Sequence, residues 1–84
     1  MTIVVVNQPF DYTQRIAVLN DNNELQESLK VDYNQVVDTT YIMYNKYKCD
    51  KIQLWGQTPE FTHKWSEELK SKYSNIVVEE HELR

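Results

Sequence analysis

The chain has 84 residues, a formal net charge of −4 and 40% hydrophobic residues, with a single cysteine and a single glycine. That is apolar material for one small folded domain over residues 1–84; it excludes wholesale disorder, and one cysteine excludes an internal disulfide. The negative charge argues against a nonspecific nucleic-acid binder, and no apolar run is long enough for a signal peptide or a membrane span, so a cytoplasmic protein without membrane contact is expected.

Taken in order, Thr2 to Asn7 is continuously apolar rather than alternating, which predicts a central strand covered on both faces. Pro9 breaks it, and a second strand is predicted from Thr13 to Leu19, with Ile16 and Val18 on one side and Ala17 and Leu19 on the other. Asn20 to Asn23 reads as a hairpin turn without glycine, since asparagine and aspartate tolerate the left-handed conformation. The third strand, Glu24 to Val31, sets Leu25, Leu29 and Val31 against Gln26, Ser28 and Lys30, and Glu27 interrupts the apolar set, as suits an edge.

Asp32 has the look of a helix cap, with Gln35 completing a capping-box pair. The helix that follows, ending near Lys48, carries an apolar flank from Val36 to Tyr47, and its β-branched residues call for tertiary packing to hold it. Lys51 to Gly56 is a fourth strand. Thr58 as cap and Pro59 at the first position open a second helix to Tyr73, with Phe61, Trp65, Leu69 and Tyr73 as its stripe. A fifth strand is predicted from Asn75 to Glu80.

A hairpin-joined pair beside the first strand, followed by two right-handed crossovers, gives an α/β domain with a five-stranded mixed sheet of order 3-2-1-4-5 and both helices on one face. This arrangement resembles the ribonuclease H-like fold, shared by ribonuclease H, RuvC-type resolvases and, in elaborated form, actin-like ATPases. The resemblance is topological and covers most of the chain. It implies a carboxylate cluster for two magnesium ions, one acid in the first strand and another at the end of the fourth. Here those strands end in Asn7 and in Gly56-Gln57, and Asp38 is the only carboxylate near such a position. Neutral amides do not hold two divalent cations, so a non-nucleolytic chain without metal or cofactor is expected. A single glycine likewise argues against the phosphate-binding hairpins of the ATPases.

Asn7 and Gln57 end neighbouring parallel strands, where α/β proteins usually bind ligands; with Gln8, Thr58 and the positive end of the second helix they form a candidate site for a small polar or anionic ligand. The competing reading is that these side chains only satisfy loop backbone. His63 reads as a solvated histidine one turn from Glu67, His81 as lying in an acidic tail, and Cys49 as an inert loop cysteine.

With both helices on one face and nothing after Arg84 to cover the other, an uncovered sheet face is expected. It should carry Val77, an apolar residue of the first strand, either Ala17 or the pair Ile16 and Val18, and whichever of Leu54 and Trp55 points away from the helices, with Gln53 beside Trp55. Trp55, Gln53, Val77 and Ala17 are therefore the candidate interface residues. A non-enzymatic interaction module follows, most simply a homodimer; the alternatives are a degenerate ribonuclease H-like domain binding nucleic acid or a small ligand, or a monomer in which Gln53 and Arg15 cover the patch.

Overall fold

The computed structural model describes residues 1–7, 13–57 and 59–82. In chain order they form β1 (Thr2–Val6), β2 (Thr13–Leu19), β3 (Leu25–Asp32), α1 (Val36–Lys46), β4 (Lys51–Gly56), α2 (Pro59–Lys72) and β5 (Val78–Glu82), with a 3-10 turn at Tyr33–Gln35 ahead of α1. The strands make one mixed sheet of order β3-β2-β1-β4-β5. β1 is antiparallel to β2 and parallel to β4, β2 is antiparallel to β3, and β4 is parallel to β5. This is the α/β architecture expected from the crossover rule.

One parity of the strands builds the core. Ile3, Val5, Ile16, Val18, Ile52 and Leu54 are fully buried against Val36, Val37 and Met43 of α1 and Trp65 and Leu69 of α2. Each such side chain contributes about 1.5–3 kcal/mol on leaving water. Both helices therefore lie on this face, and they pack on each other as well. The opposite parity, including Val4, Val6, Ala17, Gln53 and Trp55, is only half-buried. No helix is long and apolar enough to cross a membrane among the described residues.

The hairpin turn works without glycine because Asn20 organises it. Its Oδ1 accepts from the backbone N–H groups of Asn22 and Glu24, both at 2.9 Å, while Asn23 takes the left-handed conformation at φ 62°. α1 ends in a Schellman arrangement: the Cys49 N–H donates to the Tyr44 carbonyl (2.9 Å), the Lys48 N–H to that of Asn45 (3.3 Å), and Lys48 sits at φ 52°.

Several expectations need correction. The register shifts at Val18/Leu19, so Leu19 pairs with Leu25; Leu25 leaves the set of Leu29 and Val31 and is 60% exposed. β3 is the sheet edge that Glu27 suggested, but the side chain also faces α1: Tyr47 Oη donates to its Oε1 at 3.0 Å and Lys46 Nζ lies at 3.3 Å. Asp32 makes no side-chain capping bond; it ends β3, and the 3-10 turn displaces the start of α1 to Val36. The stripe of α2 is rotated, with Thr62 and Ser66 buried beside Trp65 and Leu69, while Phe61 is 39% exposed. β5 starts at Val78 rather than Asn75, so the expected acidic tail is itself the strand. The capping role of Thr58 lies outside the described residues.

Gly56 is set by close approach. A Cβ there would lie 2.8 Å from Thr62 Cγ2 and 3.0 Å from Asn7 Cβ, which lets the end of β4 press against both β1 and α2.

Candidate functional site

Two places merit attention, the strand ends and the open sheet face. At the strand ends the structure brings Asn7 beside Gly56, with the Asn7 N–H donating to the Trp55 carbonyl at 2.7 Å. Asn7 is buried, and its Nδ2 has no hydrogen-bond partner among the described residues. Gln57 is exposed just beyond β4, and Gln8 and Thr58 lie outside the described residues. The nearest cavity, about 120 Å³, is lined by Gly56, Pro59, Thr62, Glu80, His81 and Glu82. Two carboxylates on that rim oppose an anion at the start of α2, and the Asn7 amide is shut behind Gly56. Asp38 does not reach this place: it accepts from Lys72 Nζ at 2.9 Å and Tyr73 Oη at 3.3 Å, and chiefly the Lys72 bond holds its carboxyl below the usual range.

The open face is built by register. Across the five strands one row runs Lys30, Arg15, Val6, Trp55, His81, and the next runs Ser28, Ala17, Val4, Gln53, Glu79. Ala17, Gln53 and Trp55 therefore share this face, whereas Ile16, Val18 and Leu54 are under the helices. Val77 lies just before β5, 53% exposed, and its carbonyl accepts from the Ile52 N–H at 2.8 Å.

A polar strip stands over β4 and β5. The Trp55 indole and the His81 ring stack with centroids 4.2 Å apart and 11° between planes. Trp55 Nε1 donates to Gln53 Oε1 at 3.3 Å, and Gln53 Nε2 donates to Glu79 Oε1 at 3.4 Å. The same carboxyl meets His81 Nε2 at 3.1 Å, with Lys51 Nζ at 3.9 Å. The His81 contact is the main reason Glu79 titrates below the usual carboxylate range. Each ring and amide in the strip is thereby fixed in orientation. On the other side of β1, Arg15 Nη1 donates to Ser28 Oγ at 3.0 Å.

Sequence reasoning missed Glu79 and His81. Glu79 already lay in the predicted strand at the parity of Val77 and was not carried to the open face, and extending that strand past Glu80 would have added His81; the observed pairing sets them beside Gln53 and Trp55. His63 is surface-exposed, as expected, within 3.8 Å of Glu67 and 3.4 Å of Glu80. Cys49 is buried, and that burial pushes its thiol up, away from the thiolate a nucleophile needs. No cluster of three or more potential metal ligands occurs among the described residues. No family model, curated protein or solved structure matches this chain.

Proposed function

We propose that this protein is a non-enzymatic interaction module that works by pairing its open sheet face, in the simplest case with a second copy of itself. One observation carries the reading. Among the described residues no element packs on the face bearing Val4, Val6, Ala17 and Trp55, although it includes the parallel strands β1, β4 and β5. Parallel strands are normally covered on both faces, and an uncovered apolar patch usually marks an interaction surface. A tryptophan held in one orientation by Gln53 and His81 is also a suitable anchor, since little side-chain entropy is left to lose on docking.

The test uses Trp55 as its own reporter. In a Trp65→Phe background, Trp55 is the sole tryptophan. Pairing through the open face predicts a red shift of its emission on dilution from high micromolar to low nanomolar concentration. An Ala17→Arg variant, which adds bulk to the same face, should show the red-shifted emission at every concentration. Emission that is independent of both concentration and the Ala17 variant, with circular dichroism confirming the fold, refutes the reading.

A further inference from the structure

The open face is self-complementary about its middle strand, and this inference rests on the reading above. β1 is third of five strands, so a two-fold axis lying between two copies and along β1 carries β2 over β4 and β3 over β5 while each cross-strand row stays over itself. Sheets packed face to face lie about 10 Å apart with nearly aligned strands, so facing side chains meet. Val4 and Val6 then meet their own copies. Ala17 comes opposite the partner's Gln53 and Ser28 opposite the partner's Glu79, a small side chain against a larger one in both cases. Arg15 comes opposite the partner's Trp55, its methylene stem against the indole while its guanidinium reaches toward Ser28.

The charges point the same way. Arg15 and Lys30 are direct cross-strand neighbours, and like charges so placed repel. Among the described ion pairs neither has a carboxylate. The Arg15 guanidinium leans over Ser28, and the two-fold brings the partner's Glu79 to that spot. We propose that two copies pair face to face about an axis along β1, each Arg15 forming an ion pair with the partner's Glu79. Five strands at about 4.8 Å spacing, with rows about 7 Å apart, give a face of roughly 20 by 20 Å, so about 800 Å² is covered over the two copies, which fits a weak dimer rather than a permanent one.

The experiment is a charge swap read by sedimentation equilibrium, with thermal melts confirming that each variant folds. Arg15→Glu and Glu79→Arg should each weaken self-association at least about thirtyfold, because like charges then face each other at both symmetric contacts. Mixing the two weakened variants should restore a dimer, since a mixed pair has opposite charges at both contacts. Because the mixture needs no single chain to carry both changes, it also separates a trans contact from damage to the strip around Glu79. A wild-type dimer indifferent to either substitution, or variants whose mixture stays monomeric, overturns this geometry and leaves face pairing standing. A wild type that is monomeric at high micromolar concentration overturns both.

Discussion

Replacing Gly56 with alanine adds one methyl group at the point where β1, β4 and α2 converge. That methyl would sit 2.8 Å from Thr62 Cγ2, 3.0 Å from Asn7 Cβ and 3.3 Å from Asn7 Nδ2. Neither neighbour yields easily: both are buried, and Thr62 Oγ1 is tied to the Pro59 carbonyl at 3.1 Å. Overpacking of this kind costs about 1–3 kcal/mol. Alanine also narrows the unfolded ensemble, which returns about 0.4–1 kcal/mol. The net expectation is a loss of about 1–2 kcal/mol. For a domain of this size that lowers the melting temperature by roughly 5–15 °C, measurable by circular dichroism. Thr62→Ser removes the offending methyl, so Gly56→Ala with Thr62→Ser should lose less than the sum of the two single changes. A Gly56→Ala protein as stable as wild type, or strictly additive single effects, would refute the claim of close approach.

Three further outcomes follow from the same structure. Lys48 occupies the left-handed position that ends α1, so Lys48→Gly should stabilise the protein by up to about 1 kcal/mol in urea unfolding, while Lys48→Ala should not. Thr40 Oγ1 is fully buried without a hydrogen-bond partner among the described residues, and Thr40→Val, which keeps the shape and removes the stranded hydroxyl, should gain about 1 kcal/mol in the same assay. Glu79 titrates below its unfolded value because of His81, so its contribution is present above about pH 4.3 and is lost as the pH falls through its folded value; the acid limb of a stability–pH profile should be shallower for Glu79→Gln.

What could be read from the residues was what local chemistry and chain topology decide. The unbroken apolar run of β1, the parity of β2 and the two crossovers led to the sheet order, because a parallel connection has one favoured hand. The Asn20–Asn23 turn was legible because asparagine supplies both the left-handed backbone and the accepting side chain. What escaped depended on partners distant in sequence. Glu27 did mark an edge strand, but its contacts with Tyr47 and Lys46 at the end of α1 could not be read from the strand alone. Leu25 looked like core until the register shift turned it out. For the candidate site, alternation paired Trp55 with Gln53 but left open whether Trp55 and Ala17 or Leu54, Ile16 and Val18 faced away from the helices; Glu79 lay in the predicted strand without being assigned to that face, and His81 was lost by ending the strand at Glu80. The pairing of Arg15 with Lys30 across β2 and β3 required the register itself.

The most direct test of the central claim is the molar mass in solution, by light scattering across a concentration series. Pairing through the open face predicts a mass approaching twice the 10.1 kDa of one chain in the micromolar range, and a return to the single-chain mass for Ala17→Arg. A single-chain mass at every concentration, or a dimer that survives Ala17→Arg undiminished, would contradict it.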